Sequence, residues 1–541
     1  MLPAAETYEE LVNRFRWDVP ARLNMGVACC DRWAETEPDR TALIVDDEDR
    51  TVSFGDLREM SNRMANLLAA QGVARGDRVG VLLPQTVETA ASHVAIYKMG
   101  AIAVPLFVLF GPDALEHRIV DAGIGHVVTN RDGASKLRAM AGAAQDGLRI
   151  LTVDGAHDDL GTADLHVLLA NQSVDFQIVD TEADDPALII YTSGTTGAPK
   201  GALHAHRVLL GHLPGVEMHH EFFPQPGDVI WTPADWAWIG GLLDVLLPAL
   251  FHGVPVVARR FDKFTADDAF GLMARRGVTN AFLPPTALKM MRAAFPETLP
   301  HPLRLRTVGS GGETLGAELV GWGRRVLGVT INEFYGQTEC NLVISSCSAL
   351  MDAQPGVMGR PVPGHAVAVL RADGTACAQG EEGLIAVRRP DPVMFLNYWN
   401  NPDATDQKFI GDWLVMGDVG VRERDGWIRF VGRDDDVITS AGYRIGPGGI
   451  EDCLIRHPAV RMAAAIGKPD PQRTEIVKAY VVLADGYTLD ATLEAELKSH
   501  VRDRLAAHEC PREIEALDEL PVTTTGKIMR RVLRDRIVQE G

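Results

Sequence analysis

The sequence predicts an α/β fold in which a large alternating N-terminal part leads into a small β subdomain and then a smaller α+β C-terminal domain. Three observations carry this. Over residues 1 to about 180, helical periodicity (Asp56 to Gln71, Val87 to Lys98) alternates with short apolar runs (Arg78 to Leu83, Ala101 to Leu106), the rhythm of a parallel sheet covered by helices. From about 355 to 432 the texture changes to short strands separated by Asp-Gly turns, Asp373-Gly374 and Asp425-Gly426. Beyond a boundary near Gly432-Arg-Asp-Asp-Asp-Val437, strand patterns at Met462 to Ile466 and Ala479 to Leu483 surround one amphipathic helix, Leu489 to Leu505.

The first run with chemical content is Pro186-Ala-Leu-Ile-Ile190, a buried-strand pattern that opens into Tyr191-Thr-Ser-Gly-Thr-Thr-Gly-Ala-Pro-Lys200-Gly201. Four aliphatic hydroxyls and three glycines in eleven positions make a phosphate-gripping loop. Glycines allow close backbone approach, hydroxyls donate hydrogen bonds and the lysine supplies a point charge. The usual nucleotide loop runs from Gly-Lys straight into a helix, whereas Pro199 disfavours helical backbone just before itself, so this is a different loop. The α/β rhythm then resumes with strand candidates Val254 to Ala258, Thr279 to Leu283 and Leu305 to Val308.

With 541 residues, 46% of them hydrophobic and 23% charged, the chain is too long for a single core and reads as a multi-domain globular protein. Its 53 basic and 73 acidic residues leave a net charge of −20, which repels nucleic acid and anionic lipid, so an anionic ligand needs a local basic site. Seven cysteines without C-x-x-C spacing argue against a disulfide framework and a zinc site, and fit a reducing cytoplasm. The acidic start, Met1-Leu-Pro-Ala-Ala-Glu-Thr-Tyr-Glu-Glu, lacks the basic and apolar segments of a signal peptide. Met99 to Phe110 is shorter than the roughly 20 residues that span a bilayer, and Trp236 to Ala258 is interrupted by Asp244 and His252. Both runs read as core, with no stable membrane insertion.

Four further segments carry candidate chemistry. Glu333-Phe-Tyr-Gly-Gln-Thr-Glu339 alternates aromatic, small and polar groups, suited to a flat base beside a phosphate. Thr338 can donate to a phosphate oxygen, and Glu339 offers the oxygen ligand that Mg²⁺ takes together with phosphate oxygens. Gly309-Ser-Gly-Gly-Glu313 is a second glycine-rich turn after a strand. Asp418 and Arg433, each preceded by glycine, pair an acceptor for ribose hydroxyls with a guanidinium. Near the end, Pro521-Val-Thr-Thr-Thr-Gly-Lys-Ile-Met-Arg-Arg531 sets Lys527 after a hydroxyl-rich turn.

In this order the segments resemble the acyl-adenylate-forming superfamily, specifically its AMP-forming acyl-CoA synthetases of the acetyl and medium-chain type. The resemblance rests on Tyr191 to Gly201, Tyr335-Gly-Gln-Thr-Glu339, Gly432-Arg-Asp-Asp-Asp-Val437 with Gly442-Tyr-Arg-Ile445, and Thr525-Gly-Lys527, and covers nearly the whole chain. It implies two α/β subdomains and a β subdomain within residues 1–432, then a mobile domain at 433–541 that rotates about Asp435 between two half-reactions. ATP, Mg²⁺ and CoA are implied with it. Thr192, Ser193, Gly194, Thr195, Thr196, Gly197 and Lys200 would hold the terminal phosphates, and Gly312, Glu313, Glu333, Phe334 and Tyr335 the adenine. Gly336, Gln337 and Thr338 complete the ATP-binding residues, with Asp418 and Arg433 at the ribose. Lys527, Thr338 and Glu339 would be catalytic, Glu339 as the metal ligand. Ala441, Gly442, Tyr443, Arg444 and Arg473 would face CoA.

The sequence departs from that family at Gly449, where a glutamate is usual, and at Cys510 and Ala516, where aromatic residues are common. In the acid pocket, acetate-specific relatives carry a tryptophan at the position of Gly336 and larger side chains at those of Gly240 and Gly311. Three glycines here imply space for several methylenes, each contributing about 0.8 kcal/mol when buried, with Trp236, Trp238 and Ile239 as the wall. The expected substrate is a carboxylic acid larger than acetate: medium-chain, branched or aromatic. The alternative is a stand-alone adenylating enzyme that passes the acyl group to a carrier protein or an amine. Homo-oligomerisation is left open.

Overall fold

The structure, a computed structural model, describes all residues except 141–146, 193–197, 262, 314, 355, 435, 441–442, 471–472, 506–507, 523–527 and 541, and except the side chains of 439, 443, 444 and 538–540. It divides into two compact units, Met1–Ala366 with Arg388–Asp412, and Val367–Val387 with Trp413–Gly541.

The first unit holds two sheets. One has eight strands, with Arg78–Leu82 between Ile102–Pro105 and His126–Thr129 and all three parallel. Its strands are nearly continuous apolar runs because helices cover both faces, and Val79, Val104, Val127 and Ile189 are all fully buried. Helix Phe54–Ala70 starts on a capping box, in which the Ser53 hydroxyl takes the Asp56 N–H and the Asp56 carboxylate returns to Ser53. The apolar run from 186 forms the strand Pro186–Tyr191, and its antiparallel partner Gly201–Ala205 makes the intervening loop a hairpin tip. The second sheet, of nine strands, runs parallel through Ile230–Trp231, Asn280–Phe282, Thr307–Ser310 and Ile331–Gln337.

Buried ionisable groups set part of this unit's energetics. The Lys98 ammonium is fully enclosed and meets the Asp31 carboxylate at 2.8 Å, with Ser61 Oγ at 2.9 Å and Asn62 Oδ1 at 2.8 Å. His93, His204, His206, His212, His219 and His220 are each fully enclosed. Burial holds His93, His204 and His219 down to about 3 and His206 and His212 down to about 4, with His220 also well below its ordinary value. These folded-state values lie below the unfolded value, so the histidines favour the fold above about pH 6.5 and that contribution is lost progressively as pH falls toward the folded values. Burial raises the carboxyls of Asp31, Asp235 and Asp244, which act in the opposite sense, but six histidines outnumber three carboxyls, so the thermal midpoint should still drop between about pH 6.5 and about pH 4.5, where ordinary carboxylates are only beginning to protonate. A flat profile over that window would contradict the neutral, buried assignment.

In the second unit, antiparallel strands include Val367–Leu370 with Glu382–Arg388 and Trp413–Arg422 with Ile428–Arg433. The expected Asp-Gly turn is present, with Asp425 at φ 57° and Gly426 at φ 78°, the left-handed pair that suits a tight hairpin. A second sheet pairs Val460–Asp470 with Thr474–Leu483 antiparallel, and Glu513–Ala516 joins the latter in parallel. Helix Arg530–Glu540 is tied down by Arg530, which donates to both oxygens of Glu451 at 2.8 Å, and by Arg530 and Arg534, which reach Asp436 at 3.3 and 2.5 Å. At Gly449, in the first turn of helix Pro447–Ile455, a Cβ would meet only Glu509 Oε1, at 4.0 Å. A side chain fits there, but a glutamate would face a second carboxylate. No helix among the described residues is long and apolar enough to cross a membrane.

Candidate active site

The carboxyl ends of parallel strands in an open α/β sheet form a crevice where ligands bind, and four adjacent strands of the nine-stranded sheet deliver candidate residues there. Asp235 to Gly241 follow Ile230–Trp231, Phe282 ends Asn280–Phe282, Gly311 to Glu313 follow Thr307–Ser310, and Tyr335 to Glu339 close Ile331–Gln337 and its turn. Residues distant in sequence are thus gathered by topology alone.

One wall is aromatic. Trp238 lies 6.1 Å from Phe282 between ring centroids, Phe282 lies 5.2 Å from Phe334, and Phe334 stacks on the neutral His219 ring at 4.6 Å and 24°. Trp236 and Ile239 are buried beside them. Asp235 shapes the turn, its carboxylate accepting the Ala237 N–H at 2.7 Å and its carbonyl the Trp238 N–H at 3.1 Å. Burial pushes its carboxyl up to about 7.

The space expected beside the three glycines is taken by close neighbours. A Cβ on Gly240 would stand 2.9 Å from the Phe282 ring, one on Gly311 2.6 Å from the Phe334 ring, and one on Gly336 2.1 Å from the Leu342 amide nitrogen. Leu342 itself sits at φ 60° in the strand Cys340–Ser345, where the pairing with Ile331–Gln337 shifts register. Interiors close-pack, so the glycines let rings and a bulged strand approach the backbone. An indole at 336 has no place unless Asn341 and Leu342 move.

The phosphate loop hangs from a closed neck. The Thr192 N–H donates to the Lys200 carbonyl at 2.9 Å and the Lys200 N–H to the Thr192 hydroxyl at 3.4 Å. Ser193, Gly194, Thr195, Thr196 and Gly197 lie outside the described residues. A ring nitrogen of His117 meets the Pro199 carbonyl at 2.9 Å, and the Tyr191 hydroxyl donates to Asp121 at 2.6 Å. Burial and the Asp121 carboxylate hold that phenol well above its ordinary range.

Glu339 is buried, and its Oε1 accepts the Tyr398 hydroxyl and an ion pair from Lys408 at 3.9 Å. Its Oε2 takes no hydrogen bond from the described residues. Glu313 accepts the Thr286 hydroxyl on both oxygens at 2.9 Å, and Glu333 Oε1 accepts the Leu315 N–H at 3.4 Å. Tyr335, Gly336, Gln337 and Thr338 are half-buried along the same edge, and Gly312 needs its φ of 91°, with the Trp238 ring 3.2 Å from where a Cβ would stand.

Within the second unit, Asp418 and Arg433 are register partners across two antiparallel strands, with Nε to Oδ1 at 3.3 Å. Arg473 is exposed, its N–H donating to Asp470 at 2.8 Å. Tyr443 and Arg444 lie on the strand Tyr443–Ile445 without described side chains, while Asp435, Ala441, Gly442 and Lys527 lie outside the described residues. Sequence reading missed Tyr398, Lys408, His117, Thr286, Phe282 and His219. The aromatic and polar run Asn397-Tyr-Trp-Asn-Asn401 was the one local signal among them.

Residues 30–399 match the family model of the AMP-binding enzyme, and residues 449–527 match that of the AMP-binding enzyme C-terminal domain. Over 98% of its length and 96% of the relative's, the chain is 33% identical to the acetyl-coenzyme A synthetase of Bacillus subtilis (strain 168). The chain belongs to the AMP-forming acyl-CoA synthetases. This synthetase also resembles the crystal structure of Brucella canis acyl-CoA synthetase, with 35% identity and a TM-score of 0.75 over 99% of this chain and 100% of that one. The anthranilate CoA ligase AuaEII, solved in complex with anthranoyl-AMP, is similar with a TM-score of 0.88 and 27% identity, over 97% and 99% of the two chains. The synthetase is therefore a CoA ligase with ATP, CoA and a small carboxylic acid as substrates.

Proposed function

We propose that this synthetase activates a carboxylic acid larger than acetate, of medium-chain, branched or aromatic type. The observation that carries this is the apolar and aromatic cluster of Trp236, Trp238, Ile239, Phe282 and Phe334 at the carboxyl ends of the strands.

In this reading residues 1–432 bind acid and ATP, and 433–541 form a mobile domain that turns at Asp435. Thr192 to Gly197 and Lys200 hold the terminal phosphates, Gly312, Glu313 and Glu333 to Tyr335 the adenine, and Asp418 with Arg433 the ribose, with Gly336, Gln337 and Thr338 also at the ATP. Among the described residues no group of three or more His, Cys, Asp or Glu side chains could hold a metal. Glu339 suits Mg²⁺ nonetheless, because that ion takes one or two carboxylates and completes its shell with phosphate oxygens and water. When bound there, Mg²⁺ neutralises polyphosphate charge.

A carboxylate oxygen then attacks the α-phosphorus, pyrophosphate leaves, and Lys527, Thr338 and the loop amides stabilise the negative charge that develops. The C-terminal domain turns, bringing Ala441, Gly442 and Tyr443 to the CoA thiol, with Arg444 and Arg473 toward its phosphates. The thiol sulfur attacks the acyl carbonyl, the bond to the phosphate oxygen breaks, and AMP departs. Seven free cysteines, five of them buried, fit a cytoplasmic location.

Comparing kcat/KM for acetate, butyrate, octanoate and benzoate tests the pocket. An apolar lining predicts a preference over acetate for the best larger acid, each methylene it buries adding about 0.8 kcal/mol, or roughly fourfold. Activity confined to acetate would sink the reading.

A further inference from the structure

Tyr398 joins two parts of the site that the sequence treats separately. Its strand, Asn397–Tyr398, pairs antiparallel with Gly201–Ala205, placing Tyr398 opposite Ala202, two residues beyond Lys200. The Trp399 N–H donates to the Gly201 carbonyl at 2.7 Å and the Phe395 N–H to the Glu339 carbonyl at 2.8 Å, so one five-residue segment is stitched to both. Within it Tyr398 is buried, 3% exposed. Its hydroxyl donates to Glu339 Oε1, and its ring face receives the Lys200 ammonium at 5.1 Å from the centroid.

We infer that Tyr398 and Lys408 are positioning residues with opposite effects on the metal: Tyr398 orients the Glu339 carboxylate for Mg²⁺, and Lys408 occupies it electrostatically until Mg²⁺ arrives with the nucleotide. The inference rests on the proposed role of Glu339 as the metal ligand. A neutral phenol on Oε1 leaves Oε2 for the cation and fixes its direction, as hydrogen-bonded neighbours of metal ligands do. Lys408 also addresses Oε1, at 3.9 Å, but as a cation. It compensates the buried charge when no metal is present and repels a divalent ion that approaches. The ring of Tyr398 meanwhile holds Lys200 at the neck of the phosphate loop, so the metal carboxylate and the phosphate cation share one support.

The full-length enzyme with ATP and Mn²⁺ gives a direct readout, because bound Mn²⁺ is silent in the room-temperature electron paramagnetic resonance signal of free Mn²⁺. Tyr398→Phe should weaken Mn²⁺ in the enzyme–ATP complex by about ten- to a hundredfold and raise the half-saturating Mg²⁺ concentration for pyrophosphate exchange in parallel. Lys408→Met should tighten Mn²⁺ by about three- to tenfold. Glu339→Gln tests the underlying role: if it leaves Mn²⁺ binding unchanged, that role is wrong. If Glu339→Gln loses Mn²⁺ but Tyr398→Phe does not, or Lys408→Met weakens it, the inference is overturned and the role of Glu339 stands. Circular dichroism and the thermal midpoint identify a variant that has merely unfolded, and if Tyr398→Phe unfolds, Lys408→Met, at a side chain 20% exposed, still tests the inference by the sign of its effect on Mn²⁺.

Discussion

Lys527→Ala lowers acid-dependent pyrophosphate exchange by about 10² to 10³-fold, yet leaves thioester formation from supplied acyl-AMP within about threefold of the unaltered enzyme. The first magnitude is that of removing one electrostatic group aimed at developing charge in a water-excluded site. The second follows from the chemistry. In the adenylating step a carboxylate approaches a polyanion, so a cation between them acts mainly in the transition state. In the thioester step the acyl group is already activated, and positioning of the thiol dominates. Rapid-quench measurement of both half-reactions on one preparation decides the matter, since equal loss of both would refute the two-position mechanism.

Asp31→Ala destabilises the first unit by about 3–5 kcal/mol, the usual cost of leaving a buried charge without its partner. The Lys98 ammonium is fully enclosed, and its remaining partners, Ser61 and Asn62, are neutral. The double variant Asp31→Leu with Lys98→Met removes both charges and should recover most of that loss. Denaturant unfolding of the three proteins checks this. A double variant no more stable than Asp31→Ala would place the effect in packing at Gly26, where a Cβ would stand 2.9 Å from the Lys98 side chain.

What could be read from sequence depended on whether the signal was contiguous. Helix Val87–Lys98 and strand Arg78–Leu82 matched their predicted spans within a residue, because periodicity and capping are local. The pairing of Thr41–Val45 with Val256–Ala258 was invisible, since parallel neighbours so far apart leave no shared pattern. Gly201–Ala205 was hidden for another reason: the buried His204 interrupts its apolar run, and only the folded sheet shows that ring enclosed.

The site divides the same way. The loop from Tyr191 and the segment Tyr335 to Glu339 carry their chemistry in adjacent residues. Tyr398 lies 59 residues from the carboxylate it touches, and nothing in a linear reading connects them. Glycines at 240, 311 and 336 could be read as missing side chains, but the rings of Phe282 and Phe334 and the left-handed Leu342 that move in against them could not. The ring wall is therefore a product of tertiary packing.

In the proposed reaction an acyl-adenylate precedes the thioester. That order is tested most directly by incubating the enzyme with ATP, Mg²⁺, CoA and the best acid of the panel, labelled with oxygen-18 in its carboxylate. The attacking oxygen stays on phosphorus when the thiol displaces it, so the account predicts AMP carrying one labelled oxygen and an acyl-CoA carrying the other. Unlabelled AMP, or label appearing in inorganic phosphate beside ADP, would contradict it.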